Sequence, residues 1–414
     1  MDFKQLLTNQ DLLAAIEASG YTTPTPIQAQ AIPKILEGKD LRASAQTGTG
    51  KTAAFILPTL QKLAANPSKG RGPRVLVLVP TRELAMQVAK EAAKYSKNMP
   101  AMKVVCIYGG APYPIQNKDL SRPYEILVAT PGRLMDHMER GRIPFDRLEL
   151  MILDEADRML DMGFIGPVED IAAATPATRQ TLMFSATFNK NVLGLSKRLL
   201  KNPVEITIDH EQAKHENIEQ FLLNVDDLTH KYRLLEHYLA DEKVVQIIVF
   251  TATKRQADVL VDVLAEKGHE VEGLHGDMNQ RQRSRTIEKL RRGNLRILVA
   301  TDVAARGIDV PTISHIVNFD LPNSPEDYVH RIGRTGRAGK SGIAIAFASP
   351  KDRHVVKEIE RYTGFHIAPT VIPGLEPKFK AFPSSSTRPG ASGPKRSFAP
   401  RKKSYGSNFA SKKY

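Results

Sequence analysis

The stretch that most constrains the fold is Met151-Ile152-Leu153-Asp154-Glu155-Ala156-Asp157, an apolar run that ends abruptly in three carboxylates. A half-solvated strand would alternate apolar with polar residues. This run does not, so it fits the centre of a parallel sheet covered on both faces. A strand stopping at Leu153 leaves Asp154 and Glu155 at the sheet's carboxyl end, where open α/β sheets place their ligands. One carboxylate there can hold Mg²⁺ through water while its neighbour polarises an attacking water, as phosphoryl transfer requires. Alone, the segment reads equally as the acidic first turn of a solvated helix, because Asp and Glu favour helix N-termini.

Ala45-Gln46-Thr47-Gly48-Thr49-Gly50-Lys51-Thr52 breaks that tie. It follows a short strand, Leu41 to Ser44, and opens a helical pattern, Thr52 to Leu63. Its glycines free backbone N–H groups to wrap phosphates, Lys51 can reach the outer ones, and the Thr52 hydroxyl can ligate Mg²⁺. Ala45 stands where such loops usually carry their first glycine, which requires an ordinary φ at that position. A Gly/Thr-rich turn with an incidental lysine is the bland alternative, and the flanking strand and helix weigh against it.

At 414 residues, 41% hydrophobic and 25% charged, the chain can form about two domains with sizeable cores. No apolar run of about 18 residues occurs and the first ten residues lack a basic-then-apolar leader, so we expect neither membrane span nor secretion, and a cytoplasmic protein. The single cysteine, Cys106, excludes an internal disulfide and reads as a small core residue. Of the net charge of +14, the stretch Pro377 to Tyr414 contributes ten Lys or Arg and no acid. That stretch is rich in Pro, Ser and Gly, with aromatics between the charges, so it should be disordered when free. Its composition suits single-stranded nucleic acid, with phosphates on the charges and bases on the rings; a solubilising tail is the alternative.

Along the chain, Asn9 to Ser19 reads as a helix closed by Gly20, and Thr25-Pro26 starts a second helix over Ile27 to Leu36. Gln28 lies near its start, where a primary amide could read an adenine edge with Phe3 or Tyr21 stacking on the ring. Strands at 74–79, 103–108, 125–129, 148–153 and 180–185 alternate with helices, the pattern of a parallel sheet. Several run directly into small polar clusters: Pro80-Thr81-Arg82-Glu83-Leu84, Gly109-Gly110, Thr130-Pro131-Gly132-Arg133 and Ser185-Ala186-Thr187. All should emerge on one edge, fit for phosphate contacts, although caps and turns use the same residues. After a polar linker, 210–216, a second alternation carries strands at 218–224, 245–250, 295–300, 313–319 and 342–348. In that half, Thr301 to Asp309 follows a strand, and His330 to Arg337 packs three arginines into a Gly-punctuated segment. They cannot all be buried unpaired, so they want an anion or a surface loop.

Assembled in order, these segments resemble the DEAD-box ATP-dependent RNA helicases, whose naming tetrapeptide is Asp154-Glu155-Ala156-Asp157. About ten family motifs occur in family order between Phe3 and about Arg361, and the flanks are similar to bacterial members of the RhlE and SrmB types. The resemblance implies two tandem RecA-like α/β domains, each a parallel sheet flanked by helices, at 1–209 and 217–370, with a disordered basic tail at 371–414. It implies ATP and Mg²⁺ between the domains and RNA across the top. Gln28 would read adenine with Phe3 stacking, 45–52 would cradle phosphates, and Asp154 and Thr52 would serve the metal. Glu155 would position water, Arg334 and Arg337 would act as arginine fingers, and Asp309 would contact ribose. His330 would link to Ser185–Thr187. RNA phosphates would meet Arg82, Gly110, Thr130, Arg133, Thr301 and Arg283. The expected protein is a monomeric, RNA-dependent ATPase that unwinds short duplexes or remodels ribonucleoprotein, with ribosomal RNA in assembly as its family-level target. An ATP-gated RNA clamp without turnover, or a DNA translocase, would share much of this machinery; an intact Glu155 and both fingers weigh against the clamp, and only contacts to a 2′-OH separate RNA from DNA.

Overall fold

The computed structural model describes residues 2–45, 49–208, 217–305, 308, 310, 312–336 and 341–378. Two parallel sheets organise them. The first contains β1 (Leu41–Ser44), β2 (Val75–Leu78), β3 (Val104–Ile107), β4 (Ile126–Ala129), β5 (Leu150–Leu153), β6 (Gln180–Ser185) and β7 (Val204–Thr207), in the order β3-β4-β2-β5-β6-β1-β7. The second contains β8 (Ile218–Asn224), β9 (Ile247–Phe250), β10 (Val271–Leu274), β11 (Ile297–Ala300), β12 (His315–Asn318), β13 (Gly342–Ala348) and β14 (Pro369–Thr370), in the order β10-β11-β9-β12-β13-β8-β14. Helices pack on both faces of each sheet. Among the described residues no helix is long and apolar enough to cross a membrane.

The continuous apolar runs follow from this double cover. In β5, Leu150 and Ile152 join one core with Val75, Val77, Leu182 and Phe184, while Met151 and Leu153 join the opposite one with Leu76, Leu78 and Met183. The second sheet repeats the device: Ile248, Phe250 and Leu298 face one core, and Ile247, Val249 and Val299 the other. Fully burying such a side chain contributes about 1.5–3 kcal/mol, so both faces fix the register.

Because every strand runs the same way, the segments after β1, β2, β4, β5 and β6 leave the first sheet at one edge. Those after β9, β10 and β11 do so in the second. The strands that the apolar pattern did not reveal are β7, β10 and β14, which lie at or next to sheet edges and are only partly buried, so no apolar run marks them.

Candidate functional site

The phosphate-loop end is assembled around Gln28. The Thr25 N–H donates to Gln28 Oε1 at 3.0 Å, and Gln28 Nε2 donates to the Gly50 carbonyl at 3.1 Å. Each end of the amide therefore carries one internal bond and keeps one lone pair or one N–H for an incoming edge. Gly50 sits at φ +87°, and a Cβ there would lie 2.5 Å from Gln28 Nε2, so only glycine fits. Lys51 opens helix Lys51–Ala65, is 6% exposed, and its Nζ finds no hydrogen-bond partner among the described residues. A buried ammonium without a donor sink is costly, and its geometry is that of a site made to receive an anion. Ala45 is buried, with its N–H donating to the Ser185 carbonyl at 3.1 Å; Thr49 and Thr52 flank the loop. Phe3 is packed into the first core rather than standing open as a stacking platform, whereas Tyr21 is half exposed with Lys94 Nζ 5.4 Å from its ring centroid. Gln46, Thr47 and Gly48 lie outside the described residues.

Asp154, 2% exposed, follows β5, and its carboxylate accepts the Glu155 N–H at 3.0 Å. Burial pushes this carboxyl up to about 6; the Lys51 charge opposes the shift and Glu155 adds to it. Glu155 is buried and adopts φ +54°, ψ +52°, a left-handed conformation that costs a non-glycine residue about 1–2 kcal/mol. Strain of this kind collects at functional sites. Asp157 accepts from the Ala186 N–H at 3.1 Å, the Thr187 N–H at 3.0 Å and the Thr187 hydroxyl at 3.2 Å, and its own N–H donates to Ser185 Oγ at 3.2 Å. The partner of Ser185–Thr187 is thus Asp157 within the same domain. His330, expected to make that link, instead stands near Arg158, Asp327 and Arg334; burial and the two guanidinium charges hold its imidazole well below the usual range, so it is neutral at pH 7.

On the second sheet, Arg334 is buried and donates Nη1 to the Ile308 carbonyl at 2.9 Å and Nε to the His330 carbonyl at 3.2 Å. Arg331 grips Asp302 with both edges of its fork, at 2.6 and 2.7 Å, donates Nη1 to Asn318 Oδ1 at 2.9 Å, and packs 4.9 Å from the Phe250 ring centroid. The anion that the arginine-rich segment calls for is, for Arg331, a carboxylate of its own domain. Asp309 and Arg337 lie outside the described residues.

A second concavity, about 510 Å³, opens between the sheets, lined by Thr81, Arg82, Gly109, Thr130 and Arg133 from the first domain and Gly276 and Arg283 from the second. Gly110 adopts φ +88°, a conformation that favours glycine, and an added Cβ would lie 2.6 Å from an Arg82 guanidinium nitrogen, which would have to move aside. Thr130 holds the N-cap position of helix Pro131–Glu139 without a side-chain capping bond, and Arg133 on its first turn donates to the Ala111 carbonyl at 2.8 Å while its guanidinium lies 4.2 Å from the Tyr113 ring centroid. Thr301 is half-buried at the end of β11. Arg283, expected on phosphates, is spent otherwise: Nε and Nη2 donate to Glu83 Oε1 at 2.9 and 2.8 Å, across the two domains. Glu83 and Asp302 lie within motif segments and Asp327 just before one, but nothing in the sequence marks them as partners of Arg283, Arg331 and Arg158. A charged residue beside a motif is a weak signal until its partner, far along the chain, is known.

The nucleotide-type loop, the carboxylates at the end of β5 and the arginine-lined gap define an enzyme built on two RecA-like domains. Residues 25–195 match the DEAD/DEAH box helicase family and residues 230–339 the helicase conserved C-terminal domain. The chain is 43% identical over 380 residues to the ATP-dependent RNA helicase SrmB of Haemophilus influenzae, covering 91% of this chain and 86% of that one. It is 42% identical over 378 residues to the DEAD-box ATP-dependent RNA helicase CshA of Bacillus cereus, covering 90% and 71%. Its fold superposes on S. cerevisiae Dbp5 bound to RNA and ADP BeF3 with a TM-score of 0.80 at 33% identity, covering 88% and 93%. The chain belongs to the DEAD-box ATP-dependent RNA helicases and is an RNA-dependent ATPase of that class.

Proposed function

We propose that this helicase hydrolyses ATP to ADP and phosphate as its two domains, 1–209 and 217–370 joined by 210–216, close on RNA, and that it opens short duplexes or remodels ribonucleoprotein as a cytoplasmic monomer. Ribosomal RNA during assembly is the proposed natural target, and the basic 371–414 tail an added single-strand contact. The observation that carries the reading is Lys51 Nζ, a buried ammonium without a hydrogen-bond partner beside a buried Asp154. That arrangement fits a phosphate with its divalent cation. Asp154 and the Thr52 hydroxyl would hold Mg²⁺, which when bound would neutralise charge on the phosphate oxygens.

The residues of this chain divide the remaining work. Gln28 would recognise the base, with half-exposed Tyr21 the ring open for stacking, 45–52 would wrap the phosphates, and Asp309 would meet the ribose. Glu155, held out of line by its left-handed backbone, would orient the attacking water. Arg334 and Arg337, from the other domain, would meet charge developing on the outer phosphate, so that turnover needs closure. RNA lying in the 510 Å³ gap would meet Arg82, Thr130 and Arg133 of the first domain there, with Gly110 and, from the second domain, Thr301 as further contacts. Each ligand lowers the closure cost for the other, and that coupling is reciprocal. Base-pair steps are worth on the order of 1.4 kcal/mol each, so one closure can offset a few of them and not twenty. Stimulation of ATP turnover by RNA and by DNA of matched length tests the proposal: strong stimulation by RNA with little by DNA is expected, and equal stimulation would overturn it.

A further inference from the structure

We infer that Arg158 and Asp327 form a positioning pair that transmits domain closure to the carboxylates at the end of β5, an inference that rests on the closure reading above. Arg158 lies one residue beyond Asp157, on helix Ala156–Asp161, whose entry is the strained Glu155. Its side chain is 3% exposed, and Nη1 donates to Asp327 Oδ1 at 2.5 Å across 169 positions of sequence. Asp327 sits in the first turn of helix Pro325–Ile332, steadied by Ser324, whose hydroxyl donates to Asp327 Oδ2 at 3.0 Å and accepts the Asp327 N–H at 3.1 Å. The same helix carries His330 and runs into Arg334. One ion pair therefore joins the element that begins at Glu155 to the element that presents Arg334.

The pair differs in kind from a surface bridge. A long exposed pair contributes little, because water competes and the side chains lose freedom. Arg158 is enclosed and its Nη2 is buried without a partner at the seam, so removing Asp327 would leave the guanidinium only Asp161, 3.4 Å away on the same helix and half exposed, whenever the domains meet. With the domains apart, water would solvate both groups. The cost of breaking the pair thus falls on the closed state alone. Glu155 and Arg158 are three positions apart, on one face of the same turn, and Asp157 between them is already tied to Ser185–Thr187. A pull on Arg158 from the second domain acts on a turn braced on its other side, and so sets the Glu155 carboxylate rather than merely shifting the helix.

The test is a double-mutant cycle in the full chain with Arg158→Gln and Asp327→Asn, together with the charge swap Arg158→Asp with Asp327→Arg. Two quantities are read: RNA-stimulated kcat at saturating ATP, and affinity for a fluorescent single-stranded RNA with and without a non-hydrolysable ATP analogue. Each single change should lower kcat tenfold or more and weaken analogue-dependent RNA binding, leaving RNA binding without nucleotide unchanged. The Gln/Asn double variant should be little worse than either single one, and the swap should recover part of the analogue-dependent binding. Additive losses in the cycle, or singles that behave as wild type, would overturn the pair. A wild-type enzyme with no RNA stimulation would overturn the closure reading instead, so the two failures are distinguishable.

Discussion

Arg283 reaches 200 positions back along the sequence to place Nε and Nη2 on one oxygen of Glu83, with both side chains buried between the domains. An arginine used this way contributes no phosphate contact. Arg283→Gln should therefore weaken RNA binding in the presence of nucleotide by about 100-fold or more, since breaking a buried pair costs about 3–5 kcal/mol. The slope of log K against log salt should stay where it is. Loss of one phosphate contact would instead flatten that slope by about 0.7. Affinity titrations at several salt concentrations separate the two, and Glu83→Gln should match Arg283→Gln.

The raised carboxyl of Asp154 makes a statement about stability. Its folded-state pKa of about 6 lies above its unfolded value, so its protonated form stabilises the ligand-free fold at low pH. That contribution is complete well below the unfolded value of about 3.9 and is lost as pH rises through 6. Asp154→Asn mimics the protonated acid at every pH. Relative to wild type, the variant should gain about 2 kcal/mol between pH 4 and pH 7.5, most of the shift at 1.36 kcal/mol per unit, since the unfolded carboxyl is already about half ionised at pH 4. Denaturant unfolding of both proteins at the two pH values measures it; a difference that is flat with pH would mean that Asp154 is solvated.

Glu155 combines backbone strain with a proposed role for its carboxylate, and two substitutions separate them. Glu155→Gln keeps the left-handed backbone and removes the charge; Glu155→Gly removes both. Turnover should fall at least 100-fold in each, with ATP binding retained. The glycine variant should be about 1 kcal/mol more stable than the glutamine variant, because glycine carries no Cβ penalty at φ +54°. Equal stabilities would mean that the left-handed residue is not strained.

What could be read from the sequence was whatever is local or periodic. The four-residue run Leu150–Leu153 declares a central strand because both its faces are covered, and the Lys51 loop declares itself through glycines that must wrap an anion. Pairings between distant residues carry no such mark. Arg331 and Arg283 look like phosphate ligands by type, and their carboxylates, Asp302 and Glu83, become visible only when the sheets are in place. Edge strand β10, with a single fully buried residue, has no pattern to read.

Lys51 provides the sharpest separation of stability from function. In the ligand-free protein its ammonium is buried without a hydrogen-bond acceptor, so it contributes little to the fold except as a counter-charge to Asp154. Lys51→Met keeps the length and the apolar stem, removes the orphaned charge, and leaves Asp154 to rise further in pKa. These effects oppose each other, and the ligand-free protein should unfold within about 1 kcal/mol of wild type. ATP is different. At 100-fold its Kd a ligand stabilises the folded state by about 2.7 kcal/mol, and that increment should vanish in Lys51→Met at the same ATP concentration. Thermal melts with and without Mg-ATP measure both quantities. A ligand-free loss of more than about 3 kcal/mol would identify Lys51 as half of a structural ion pair with Asp154, and an ATP-induced shift equal to that of wild type would show that the phosphates lie elsewhere.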